Sequence, residues 1–274
     1  MTFPTTALRR IRHVALDMDG TIYLGSRLFA CTLPFLEKLK ALDIGYSFLT
    51  NNSSRSRDDY LRKLARLGIH AAPEQLITST HATADYLRFH LPDARRLFVL
   101  GTPSMQNELG QLGYFSCEDE PDAVVVGFDT TLSYERLTRA AWWISRGRPF
   151  LASHPDLVCP TDQPTVLVDC GAICRALEAA TGVPPIYIGK PSPRMLDGIL
   201  TRHGLRPDEV AMVGDRLSTD MTLARESGAL GVLVLTGEAT RAQAQQSTPP
   251  PDLVVEDVGE LGALLETSRL EVRT

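Results

Sequence analysis

Short runs of β-branched and other apolar residues punctuate the chain at His13–Leu16, Tyr46–Leu49, Leu97–Leu100, Ala123–Phe128, Phe150–Ala152, Ile186–Ile188, Val210–Val213, Gly231–Leu235 and Leu253–Val255. Between them, Pro34–Leu42, Ser56–Leu67, Thr78–His90, Ser133–Arg146, Ile173–Thr181, Pro193–His203 and Ser218–Ser227 carry helical spacing, several closed by a glycine suited to a helix C-terminus. Strand-length runs alternating with helices at this pitch restrict the chain to the α/β class and favour a parallel sheet with crossover helices.

The 274 residues are about 1.8 times a typical domain of ~150, enough for one large or two modest domains with real cores. With 43% hydrophobic and 22% charged residues, the chain is not expected to be disordered. A balance of 28 Lys+Arg against 33 Asp+Glu, net −5, argues against a nucleic acid polymer as partner. The longest apolar runs, such as Ala123–Phe128, fall far short of the roughly 20 residues of a membrane helix, so no membrane span is expected. Met1–Arg12 has three arginines but no apolar core behind them, which predicts a cytoplasmic location without a secretory signal. Five cysteines in a chain of this size predict reduced thiols. The biased stretch Ala242–Pro251 reads as a solvated loop.

Four polar segments each follow a strand run: Asp17-Met18-Asp19-Gly20-Thr21, Thr50-Asn51-Asn52, Gly189-Lys190-Pro191 and Gly214-Asp215. Ligands of open α/β sheets collect beyond the carboxyl ends of the strands, so these four ends are expected to converge on one site. Asp17, Asp19, Asp215 and Asp220 with one lysine form a carboxylate excess that repels itself unless a cation sits among it. Mg²⁺ is the natural ion, being hard, oxygen-liganded and a habitual partner of phosphate. Side chains two apart on an extended strand share a face, so Asp17 and Asp19 are expected to address one substrate, the first as nucleophile and the second as proton donor and acceptor. Gly20 lets the chain turn just after the pair. Residues from about Ser79 to Thr181 lack such signatures, which points to a second domain inserted into a discontinuous first one.

DMDGTIY (Asp17–Tyr23), LTNNSS (Leu49–Ser54), IGKPSP (Ile188–Pro193) and VGDRLSTD (Val213–Asp220), in that order, resemble the four motifs of the haloacid dehalogenase-like hydrolase superfamily. More narrowly they resemble its NagD-like or nitrophenylphosphatase branch. The resemblance implies a Mg²⁺-dependent phosphatase of small-molecule phosphate esters acting through an aspartyl-phosphate. It makes Asp17 the nucleophile and a metal ligand, Asp19 the acid/base and a metal ligand through its carbonyl, and Asp215 a direct metal ligand. Thr50, Asn51 and Asn52 with Lys190 bind phosphate, Lys190 also pairs with the nucleophile, and Asp220 supports Lys190 or a metal-bound water. It further implies a doubly wound, mostly parallel Rossmann-like core sheet from residues 1–78 and 183–274, with an α/β cap at 79–182 that selects the substrate. Within that cap the branch's Asn-Pro-Asp and Pro-Thr correspond to Ser153-His154-Pro155-Asp156 and Pro160-Thr161, and its glycine-rich segment is altered to LVDCGAIC. His154, Asp156 and Asp169 are the candidate selectivity residues.

Simpler readings stand beside these. An isolated DxD pair is as often a plain loop, Ser53 or Ser54 is placed to cap the following helix, and Asp220 suits a first helical turn. Cys170 and Cys174 share a helix face but lack further ligands for zinc, and Trp142 and Trp143 cannot both face inward. A phosphotransferase using the same intermediate and a non-catalytic phosphometabolite sensor remain the rivals, and a cap-mediated homo-oligomer stays open by analogy.

Overall fold

The computed structural model describes residues 5–160 and 165–270. Every strand expected above is present, at His13–Asp17, Gly45–Thr50, Arg96–Leu100, Ala123–Val126, Phe150–Ala152, Ile186–Tyr187, Val210–Gly214, Leu230–Val234 and Leu253–Val255. The chain divides into two compact units, one of residues 1–49, 61–76 and 191–274, the other of residues 50–60 and 77–190.

The first unit is built on a six-stranded sheet in the order Leu253–Val255, Leu230–Val234, Val210–Gly214, His13–Asp17, Gly45–Thr50 and Leu76–Thr78. The described pairings between its first five strands are parallel. His13–Asp17 is central, with Leu16 opposite Val213 on one side and Asp17 opposite Leu49 on the other. Its two neighbours belong to opposite ends of the sequence, so the winding reverses there, the topological position at which α/β sheets open a crevice.

The second unit has its own sheet, in the order Ile186–Tyr187, Phe150–Ala152, Ala123–Val126, Arg96–Leu100 and Phe115–Ser116, all parallel. Alternate side chains enter opposite layers. Phe98, Leu100, Val124, Val126, Phe150 and Ala152 pack with Ala140 and Ile144 of the helix Tyr134–Ser145 and with Ile173, Cys174 and Leu177 of Cys170–Thr181. Leu97, Val99, Ala123, Val125 and Leu151 pack with Ala84, Leu87, Met105 and Leu109 on the other face. This sheet is covered on both sides, which is why its strands read as unbroken apolar runs.

Helix boundaries follow local chemistry. Thr78, Thr102, Ser133 and Asp169 accept backbone N–H groups at helix starts, and Gly182, Gly204 and Gly228 close helices in the left-handed conformation. One expectation needs correction: the first half of Ala242–Pro251 is not loop but belongs to the helix Arg241–Gln246. Thr240 and Gln243 cap each other at its start, and Ala244 is buried with Leu233 and Met221, so tertiary packing overrides the polar composition. Ser56, rather than Ser53 or Ser54, caps Arg57–Arg66, exchanging hydrogen bonds with Asp59. None of the five cysteines forms a disulfide among the described residues. No helix among the described residues is long and apolar enough to cross a membrane.

Trp142 and Trp143 divide as the helical spacing requires: Trp142 is 55% exposed under the Arg146 guanidinium, while Trp143 packs on the core and donates to the Glu118 carbonyl. Ile144→Ala, which empties a buried site, should destabilise by about 2–5 kcal/mol. Trp142→Ala should cost about 1 kcal/mol or less. Denaturant unfolding of the two variants measures the contrast.

Candidate active site

In the first unit, the central strand delivers Asp17 at its last residue, and the neighbouring strand Val210–Gly214 delivers Asp215 just past its end. Oxygens of Asp17, Asp215 and Asp220 all lie within 4.8 Å of one another, with Asp215 and Asp220 buried and Asp17 half-buried. Asp220 arrives through a π-helical turn, Leu217–Met221, in which both the Asp220 and Met221 N–H groups point at the Arg216 carbonyl. Its Oδ2 accepts the Arg216 N–H at 3.1 Å. The sequence reading held Asp220 as a support; the structure gives its carboxylate an equal place in the cluster.

Three glycines make the close packing feasible. A Cβ on Gly20 or Gly237 would overlap the Asp215 carboxylate, and one on Gly214 would overlap that of Asp220. Gly20 also has φ +89°, which an L side chain rarely adopts, and its N–H closes the turn onto the Tyr23 carbonyl at 2.7 Å. Thr236 Oγ1 donates to the Gly20 carbonyl at 2.6 Å, while the Glu238 N–H donates to Asp215 Oδ2 at 2.7 Å. The segment Thr236–Glu238 escaped the sequence reading. It follows the strand Leu230–Val234, so the rule that directs attention to strand ends could have found it. Thr21 Oγ1, 3.4 Å from Asp17 Oδ2, was likewise not singled out.

Asp19 lies outside the three-carboxylate cluster. Its side chain is 58% exposed, accepting the Gly25 N–H at 3.3 Å and lying 3.9 Å from Lys63 Nζ, itself 4.0 Å from the centre of the Tyr23 ring. A group so placed can exchange protons with water.

The cluster fits a hard divalent cation. Its donors are carboxylate oxygens alone, and an octahedral ion at about 2.1 Å from each ligand spans oxygens roughly 3–4.2 Å apart. Asp17, Asp215 and Asp220 are the residues that would hold it.

The second unit holds the remaining candidates. Thr50, Asn51 and Asn52 are half-buried; the Asn52 N–H donates to Thr50 Oγ1, and Asn52 Oδ1 accepts both the N–H and the hydroxyl of Ser54. Asn51 Nδ2 donates to the Lys190 carbonyl at 2.8 Å and to Asp156 Oδ2 at 3.2 Å, and Lys190 is 4% exposed. The structure thus joins Asn51, Asp156 and Lys190. His154 and Asp169 are both buried and bonded to each other, Nε2 to Oδ1 at 2.9 Å, and Asp169 also caps the helix Cys170–Thr181. Thr161 lies outside the described residues.

The haloacid dehalogenase-like hydrolase family matches residues 14–115, and the HAD-hydrolase-like family matches residues 187–261. An acid sugar phosphatase of Staphylococcus aureus is 33% identical over 260 residues, covering 94% of this chain and all of the relative. The crystal structure of a 4-nitrophenylphosphatase from Thermotoga maritima is 40% identical, covers 94% of this chain and 98% of its own, and superposes with a TM-score of 0.87. NagD from E. coli K-12 is 27% identical, covering 91% and 98%, with a TM-score of 0.83. With matched sequence across most of the chain, the same α/β architecture and an acidic cluster at the reversal of the sheet, the chain belongs to the haloacid dehalogenase-like hydrolases, in their NagD-like or 4-nitrophenylphosphatase branch, and is a phosphatase of that family.

Proposed function

We propose that this phosphatase hydrolyses small-molecule phosphate monoesters with Mg²⁺ as cofactor and Asp17 as nucleophile. The observation that carries the reading is the trio Asp17, Asp215 and Asp220, three carboxylates within 4.8 Å at the carboxyl end of the central strands. Such a cluster is costly without a cation and suits phosphate chemistry with one.

In the proposed cycle an Asp17 carboxylate oxygen attacks phosphorus, forming an aspartyl-phosphate as the bond from phosphorus to the leaving oxygen breaks. The departing alkoxide takes the Asp19 proton. Asp19 then takes a proton from water, whose oxygen attacks the same phosphorus, releasing phosphate and restoring the Asp17 carboxylate. The exposed position of the Asp19 side chain suits both proton transfers. When bound, Mg²⁺ supplies the positive charge that lets an anionic nucleophile approach an anionic ester. Thr50, Asn51, Asn52 and Lys190 are proposed to bind the phosphoryl oxygens, with the lysine contributing charge. The inserted segment at 79–182 is proposed to act as the cap that chooses the leaving group. Nucleotides, sugar phosphates, phosphoglycolate and pyridoxal phosphate are the substrate classes to compare, and the name of the staphylococcal relative makes sugar phosphates the first to assay.

Asp17→Asn should lower kcat on an aryl phosphate by at least about 10³-fold with unfolding behaviour retained. Turnover by the folded variant at a rate near the wild type removes Asp17 as nucleophile. Chelation should abolish activity, Mg²⁺ should restore it, and Ca²⁺, larger and looser in geometry, should restore little; equal rates with the two ions would contradict the metal assignment. Asp215→Asn should raise the Mg²⁺ concentration for half-maximal activity by more than about tenfold, read from a metal titration of the hydrolysis rate.

A further inference from the structure

Beyond the strand Phe150–Ala152, the segment Ser153-His154-Pro155-Asp156 crosses between two features of the second unit. On one side the Gly189 N–H donates to the Ser153 carbonyl at 2.8 Å. A Cβ on Gly189 would overlap that carbonyl and come within 2.6 Å of Asn51 Oδ1 and 3.1 Å of His154 Cβ. On the other side the segment is stapled to the first turn of Cys170–Thr181. The Gly171 N–H donates to the Asp156 carbonyl at 2.8 Å and the Asp169 N–H to the Leu157 carbonyl at 3.0 Å, while a Cβ on Gly171 would strike the Pro155 carbonyl. The Asp156 side chain then reaches Asn51, whose amide also grips the Lys190 carbonyl.

His154 is the buried centre of this crossing. Its Nδ1 lies 2.8 Å from Ser153 Oγ and its Nε2 2.9 Å from Asp169 Oδ1, which also accepts the Cys170 N–H. The Ser153 hydroxyl is in turn 3.3 Å from that of Ser53, and Ser53 Oγ accepts the Phe128 N–H at 3.0 Å. A hydrogen-bonded line therefore runs from the loop after Asn51, through His154, to the helix capped by Asp169.

We propose that the His154–Asp169 pair is a positioning clamp for the phosphate-binding residues, fixing the Ser153–Asp156 crossing so that Asn51 and Lys190 are held at one spacing. The proposal rests on the reading of Asn51 and Lys190 as phosphate ligands. His154 and Asp169 are positioning residues, since they act through Asp156 and Gly189. The titratable groups facing His154 are Asp169, Asp156 and Cys170, with Cys174 Sγ 4.0 Å beyond Cys170 Sγ. Burial disfavours the imidazolium, but the negative charge of the neighbouring Cys170 thiolate, the hydrogen bond and charge of Asp169 and the charge of Asp156 outweigh it and hold the histidine raised, at about 9. The clamp is therefore charged at neutral pH and loosens as pH rises through that value.

Steady-state hydrolysis of an aryl phosphate, with inhibition by inorganic phosphate, tests this between about pH 7.5 and pH 10 for the wild type, His154→Gln, Asp169→Asn and Asn51→Ala. In the wild type, KM and the phosphate inhibition constant should rise together above about pH 9. His154→Gln should raise both by about tenfold or more at pH 7.5, change kcat less, and lack the alkaline rise. Asp169→Asn keeps a helix-capping side chain but not the charge, so its alkaline rise should begin at lower pH. A His154→Gln enzyme with wild-type KM and phosphate inhibition, or an Asp169→Asn enzyme whose alkaline rise has not moved, overturns the clamp. Should His154→Gln fail to fold, the Asp169→Asn profile decides alone. Asn51→Ala separates the two layers. Unchanged KM and phosphate inhibition there would remove the phosphate-ligand reading itself, whereas weakened binding there beside an unmoved Asp169→Asn profile would sink only the clamp.

Discussion

Mutual repulsion among Asp17, Asp215 and Asp220 is the constraint around which the first unit is arranged. Three carboxylates cannot be held within 4.8 Å by flexible loops without drifting apart. Here one ends the central strand, a second follows the adjacent strand, and the third is fixed by its bond to the Arg216 N–H. Parallel pairing of these strands, registered by residues with essentially no exposure, converts hydrophobic burial into fixed spacing between charges. The glycines at 20, 214 and 237 supply the room, and N–H groups of the Thr236–Glu238 segment and of Arg216 supply partial positive charge where a side chain would be too bulky.

The second unit treats its polar groups differently. Its sheet is sealed by helices on both faces, and several of its polar residues come as bonded sets: His154 with Ser153 and Asp169, Asn51 with Asp156 and the Lys190 carbonyl, Arg136 with Asp129 at 2.7 Å. Buried groups satisfied in this way favour a single arrangement of the loops that carry them, because any alternative strands a donor or acceptor away from water. At Asn51 it is the side-chain Nδ2 that makes these bonds, to Asp156 and to the Lys190 carbonyl.

The legible parts of the sequence were those where one physical signal dominates. Ala123–Val126 is covered on both faces and so reads as a strand from hydrophobicity alone, and Asp17 and Asp215 are located by counting from strand ends. Elements with mixed signals escaped. Pro103–Gln111 begins with a Thr102 cap but has only Met105 and Leu109 as large apolar side chains, and Arg241–Gln246 is helical because Ala244 finds a buried partner set remote in sequence. The paired strands Val158–Pro160 and Val166–Val168 expose Val158, Val166, Leu167 and Val168, so their apolar character carried no inward-outward pattern to read. At the site, Glu238 acts through its backbone N–H, which no residue identity advertises. His154 was visible as an unusual residue in its segment, but its burial and its bond to Asp169 depend on a helix whose start lies some distance along the chain.

The π-helical turn at Leu217–Met221 gives the first unit slack in chain length at one place. Such a turn stores one residue more than the α-helical path it interrupts. Loss of a single residue within it would leave an ordinary α-helical path with the chain beyond it in place. A one-residue loss is therefore absorbed more readily in this turn than in the strands beside it, where the same loss would send every later side chain to the opposite face.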